Sequence, residues 1–260
     1  MASAPTPAPE TQGASPIAAV AEVVAVFLIY SVIVKYHETT WLSLAQARLV
    51  GWHFNAHILM MALPLAVVLV TGRNFTSLGL DPAQWRDPVV VRLCRVAVPE
   101  LMVIGLVISL GWWALKGEAP RIALPPEPFP PSRVVWGSLC TVVFTTFFCG
   151  VGEEIFFRGY LQGRLNMGLG RPWQFRGVRF GAGLLLVSAL FGLGHGLAVW
   201  NPIADRSWAL HWGAAEALKS AVTFGEGLLL GLIYEHTRGL LAPMVIHAAL
   251  GLFFGSFAFA

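Results

Sequence analysis

The chain's long apolar runs set the limits on its fold. Residues 17–34, 52–71, 93–115, 134–163, 180–200, 214–235 and 240–257 each read as an apolar helix, close to or above the roughly 20 residues needed to cross a bilayer. A soluble domain carries about 25% charged residues. This chain of 260 residues carries 12%, against 56% hydrophobic, and its mean hydropathy is +0.68. The expected class is all-α: a polytopic membrane helix bundle of seven to eight transmembrane helices, an eighth being able to hide in 41–52.

The first 16 residues, "MASAPTPAPETQGASP", have neither the basic region nor the cleavage site of a signal peptide and read as a disordered tail. The Pro-rich "LPPEPFPP" at 124–131 reads as a stiff external loop and is the best boundary in the chain. It separates N-terminal membrane helices (17–133) from a second membrane unit (134–260). No internal repeat is visible. The net charge of +3 comes from scattered loop residues, with no basic stripe of the kind nucleic acid requires.

Orientation follows from loop Lys and Arg. If seven helices alternate, Arg73, Arg86, Arg92, Arg95, Arg164, Arg171, Arg176, Arg179 and Arg238 share one side. Lys35, Arg48, Lys116, Arg121, Arg133, Arg206 and Lys219 share the other. The bias is small. The dense 164–179 connection favours a cytoplasmic N-terminus and an external C-terminus.

Within "GVGEEIFFRGYL" (151–162), Glu153, Glu154 and Arg158 break an apolar run. A charge at the centre of a membrane helix costs about 2.5–3.5 kcal/mol on insertion scales, so such residues are usually paired and functional. Glu154 and Arg158, at i and i+4, can neutralise each other. Glu153 points about 100° away round an α-helix, so Arg158 cannot satisfy it as simply. It needs another partner or must keep its proton, which suits a general base. A structural clamp between helices, with the second Glu reaching toward water, is the competing explanation.

Depth favours chemistry. By helical rise, Glu153 lies roughly 16 Å from Arg164, His195 roughly 24 Å from Arg179, and His247 roughly 12 Å from Gly239. The three connections share a side in this topology. A carboxylate and two imidazoles are thus expected to converge in the cytoplasm-facing half of the bilayer, an arrangement suited to activating water.

"EEIFFR" fits Glu-Glu-x-x-x-Arg, "FGLGH" (191–195) fits Phe-x-x-x-His, and "GLLLGLIYEHTRGLLAPMVIH" (227–247) is similar to a third block ending in histidine. Together, across about 134–256, these resemble the CAAX-protease and bacteriocin-processing (CPBP, Abi) family of intramembrane glutamic endopeptidases. The resemblance implies that Glu153 and His195 activate a water and that Glu154 and Arg158 hold Glu153 and its helix. His247 would stabilise the oxyanion. The family pattern commonly has Asn four residues after that histidine; here Gly251 stands there, and the expected oxyanion hole is thinner.

Other polar residues have plainer readings. Glu226 could line the cavity or pair with a histidine or a backbone donor. Glu22 and Glu100 read as helix-end residues or polar helix contacts, and Gly225, Gly227 and Gly231 as small residues letting helices approach. Cys94, Cys140 and Cys149 read as small buried hydrophobes. His53 and His57, one turn apart, could hold a metal but lack an evident third ligand. No cofactor and no required metal is expected.

A zinc protease using Glu153, Glu154, His195 and His247 is the mechanistic rival, though the His-Glu-x-x-His helix is missing and Arg158 would oppose a cation. A non-catalytic membrane chaperone, sensor or transporter component is the alternative of another class. The expected partners are a peptide or protein substrate, a hydrophobic or lipidated tail being one form, and membrane lipid. Ala/Gly/Arg-rich composition and short loops point to a bacterial inner membrane.

Overall fold

The computed structural model describes residues 15–38, 54–116, 136, 139–140, 142–196, 198–199 and 210–256. Helix dominates them, as the apolar runs require. α1 is Pro16–Glu38, α2 Phe54–Val70 and α3 Pro88–Lys116. α4, Phe144–Gln162, is a wide-turned π-type helix that continues as α5, Gly163–Leu169. α6 is Ala182–Gly196, α7 Ala214–Thr237 and α8 Leu241–Ser256.

Several expectations change. Pro16 opens α1 instead of closing a tail, a position that suits its missing N–H. Lys35 lies on α1, Arg92, Arg95 and Lys116 on α3, Arg164 on α5 and Lys219 on α7, so six of the cations used for orientation are helix residues, not loop charges. α6 stops at Gly196. Two antiparallel hairpins add a little strand to the all-α class: β1 (Trp173–Phe175) with β2 (Val178–Phe180), and β3 (Ala198–Val199) with β4 (Leu210–His211). The first hairpin turns through Arg176 and Gly177, whose φ values of 46° and 85° match the twist of the strands they join. The possible helix in 41–52 and the Pro-rich 124–131 lie outside the described residues.

Two polar clamps gather one end of the bundle. Glu22 on α1 accepts both terminal nitrogens of Arg73 at 2.7 and 2.9 Å, Arg164 Nε at 2.9 Å and the Tyr160 hydroxyl at 2.6 Å. Glu235 near the end of α7 accepts from Gln162, Asn166 and Arg171. The start of α1, the ends of α2, α5 and α7, and the entry to α6 therefore meet at this end, with successive long helices reversing direction.

α4 runs through the middle, packed against α2, α6 and α8. At its crossing with α8, a Cβ on Gly150 would come within 2.8 Å of Ala248 Cβ; glycine is what permits the approach. Gly227 and Gly231 serve α7 in the same way against Ser188 and Leu184, whereas Gly225 faces nothing within 4 Å.

Large apolar side chains on α1 (Val24, Leu28, Val32), α3 (Val103, Val107) and α7 (Leu218, Val222) face outward, while Glu153, Glu154, Arg158, Gln162 and Glu235 are buried. Among the described residues, Pro16–Val34 and Glu216–Thr237 are long and apolar enough to cross a membrane. Asn55–Val70, Ala182–Gly196 and Leu241–Leu252 are apolar but shorter.

Candidate active site

Glu153 and Glu154 leave α4 toward different neighbours. Glu153 Oε1 lies 3.0 Å from His57 Nε2 on α2. A carboxylate can only accept, so this nitrogen carries the proton. Arg158 indeed does not serve Glu153; the partner is a histidine from the N-terminal half that the sequence reading considered only for metal.

The other oxygen, Glu153 Oε2, is buried and makes no hydrogen bond to the protein. It faces His195 Nε2 at 3.8 Å and His247 Nε2 at 4.0 Å. Both separations exceed a direct hydrogen bond and fit a shared water between the groups. His195 Nδ1 sits 2.9 Å from the Phe191 carbonyl. A carbonyl also only accepts, so Nδ1 carries a proton, and Nε2 is the ring nitrogen turned toward Glu153.

Glu154 is fully buried, and its Oε1 accepts from Arg158 Nη1 at 2.8 Å and from His247 Nδ1 at 2.7 Å. It therefore orients His247. The expected support of Glu153 by Glu154 and Arg158 is replaced by support from His57. Phe191 joins the parts: its ring lies under the Arg158 guanidinium, 4.4 Å from the centroid, and its centroid is 4.4 Å from that of His195 and 6.0 Å from that of His247. The Phe-x-x-x-His spacing thus places an apolar spacer and a histidine on one face of α6. Glu226 Oε1 completes the surroundings, 3.9 Å from His247 Nε2.

The side chain of His195 is 33% exposed and that of Glu226 25%, against 5% for Glu153. His195 is one residue from the end of α6, and His57 lies in the first described turn of α2. Both of those ends are opposite the Glu22 and Glu235 clamps. The three sequence-predicted groups do converge, with His195 and His57 at helix ends away from the arginine-bearing clamps. A rise of roughly 24 Å from Arg179 already spans most of a hydrocarbon core of about 30 Å.

Gly251 is one turn beyond His247. A Cβ there would lie 3.4 Å from Thr145 Cβ, so the position faces α4 below the carboxylates. Glu100 is exposed on α3, and Glu22 belongs to the clamp. His53 lies outside the described residues. Cys149 is not an inert apolar residue: its Sγ lies 3.7 Å from His57 Nε2, and with Glu153 the three ligand atoms fall within 4.8 Å of one another. These two partners of His57 sit on another helix, where local spacing could not show them. In the rival metal set of Glu153, Glu154, His195 and His247, Glu154 Oε1 is already shared by Arg158 and His247.

Residues 135–253 match the family model described as Rce1-like, type II CAAX prenyl endopeptidase. The matched segment carries Glu153, Glu154, Arg158, His195 and His247 and excludes α2 with His57. Neither the curated proteins nor the solved structures give a match. The segment 135–253 is therefore similar to the Rce1-like CAAX endopeptidases, a family of proteases.

Proposed function

We propose that the chain is an intramembrane endopeptidase of glutamate type that cleaves a peptide or protein substrate in the bilayer. The observation that carries this reading is the asymmetry of Glu153: one oxygen is held by His57, and the other is free of protein partners and faces His195 Nε2 and His247 Nε2. A water held between Glu153 Oε2 and His195 Nε2 loses a proton to the carboxylate as its oxygen attacks the scissile carbonyl carbon. The tetrahedral oxyanion forms beside His247, which in its doubly protonated form presents Nε2–H while Nδ1–H stays on Glu154. Collapse breaks the C–N bond, and the proton on Glu153 passes to the departing amine.

The apolar outer faces and buried carboxylates support seven alternating membrane helices. Composition and short loops support a bacterial inner membrane as the location. A substrate with a hydrophobic tail fits a site reached at the end of α6; lipidated tails, named in the family description, are one form of it.

The test is Glu153→Gln in the full chain, purified in detergent beside wild type. The amide is nearly isosteric but cannot take the proton, so the variant should keep its melting temperature and lose processing of a reporter with a hydrophobic tail. A folded variant that still cleaves removes Glu153 from the base role. Metal chelators should leave wild-type cleavage intact; loss to a chelator and recovery on adding zinc would establish a metalloprotease instead.

A further inference from the structure

The face of Glu153 turned toward α2 offers donors of another kind. His57 Nε2, Cys149 Sγ and a Glu153 carboxylate oxygen lie within 4.8 Å of one another, on two helices. Imidazole, thiolate and carboxylate are the zinc donors, and three of them with an open fourth position make a common zinc arrangement. Charge favours it as well. A thiolate and a carboxylate neutralise a divalent cation, leaving no net charge in a low-dielectric interior. The Glu153 side chain is 5% exposed, and its Oε2 has no protein partner. Sγ stands 3.7 Å and Oε1 3.0 Å from His57 Nε2, so modest rotation of the Cys149 and His57 side chains gathers all three around one ion.

We propose that His57, Cys149 and Glu153 form an inhibitory site for a thiophilic divalent cation of the zinc class. As the metal–sulfur bond forms the Cys149 thiol proton goes to solvent, and as Nε2 takes the metal the His57 ring proton moves to Nδ1, so affinity rises with pH. Water takes the fourth position. Glu153 is then a ligand whose negative charge is spent, and it no longer accepts a proton from the hydrolytic water. The inhibitory effect rests on the glutamate-type reading above; the binding does not.

Two readouts separate the claims. Purified full-length protein titrated with Co2+ should take up about one equivalent and show a thiolate-to-cobalt charge-transfer band. Cys149→Ser and His57→Ala should abolish the band, while Cys94→Ser and Cys140→Ser keep it. In the cleavage assay Zn2+ should inhibit wild type. Cys149→Ser, outside the proposed catalytic machinery, should cleave at the wild-type rate and need at least about tenfold more zinc for inhibition. A Co2+ band that survives in Cys149→Ser, no stoichiometric uptake, or faster cleavage with zinc overturns the proposal. If the chain proves to have no peptidase activity, the proteolytic reading fails, while the cobalt titration still decides whether the site exists.

Discussion

His57 Nε2, on α2, lies 3.0 Å from Glu153 Oε1, on α4. One contact makes the N-terminal half of the chain part of the site, although that half lies outside the family match. A carboxylate that must accept a proton on one oxygen gains from having the other fixed. Held in this way, Glu153 keeps Oε2 turned toward His195 and His247, where the proposed mechanism puts the water.

His57 should therefore behave as a positioning residue. His57→Ala leaves Glu153 Oε1 without its donor, and a buried group so stranded costs about 1–3 kcal/mol. If that appears in the barrier, kcat falls roughly 5- to 150-fold with KM little changed. His57→Gln, whose amide can still donate, should recover part of the loss. Equal kcat for wild type and His57→Ala would show that Glu153 is oriented without α2.

Arg158 supports the other carboxylate. It is 1% exposed, donates to Glu154 at 2.8 Å and stacks on Phe191. Arg158→Ala breaks a buried pair, which typically costs about 3–5 kcal/mol, and it also removes the plane on which Phe191 rests. Arg158→Lys should rescue only part of this, because an ammonium keeps the charge without the flat stacking surface. Thermal melting in detergent reads both variants, and an unchanged Arg158→Ala melt would place the pair outside the folding energetics.

These residues show what a linear reading reaches. Glu154–Arg158 was legible because the pair lies within one turn of a helix, and the helix spans were legible because apolar runs of bilayer length leave few alternatives. The gathering of Glu153, His195 and His247 was legible through depth along three helices, with motif resemblance beside it. The missed features depend on contacts across helices. Nothing local in α2 says that His57 faces Glu153, and nothing near Cys149 says that an imidazole lies 3.7 Å away. The clamps were missed for a related reason. Arg164 and Arg171 look like loop charges until Glu22 and Glu235, each more than 60 residues away in sequence, are seen to accept from them.

Glu235 gives a prediction far from the chemistry. Its side chain is fully buried and accepts from Gln162, Asn166 and Arg171, with Arg238 at 3.5 Å. Glu235→Ala removes the acceptor these donors share where α4, α5, the connection into β1 and α7 meet. Loss of about 3–5 kcal/mol is expected, as for other broken buried pairs. Protease nicking in the 170–181 connection should rise in step. A Glu235→Ala protein with wild-type melting and no new cleavage there would mean that the clamp is dispensable.

The remaining prediction concerns the oxyanion. His247 is held by Glu154 through Nδ1, leaving Nε2 between Glu153 and Glu226. It is the ring nitrogen placed to meet negative charge developing beside the Glu153 water. Gly251, where the family pattern commonly has Asn, adds no side-chain donor. Removing one oxyanion donor costs on the order of 2.7–4 kcal/mol in the barrier, so His247→Ala should lose roughly 10²- to 10³-fold in kcat, close to Glu153→Gln. Gly251→Asn should fold, because its Cβ meets Thr145 at the ordinary contact distance of 3.4 Å. Its amide should leave kcat unchanged or raise it, and in the His247→Ala background it should restore part of the loss if the two positions serve one oxyanion. A folded His247→Ala protein that cleaves at nearly the wild-type rate would make His247 a packing residue and put the oxyanion elsewhere.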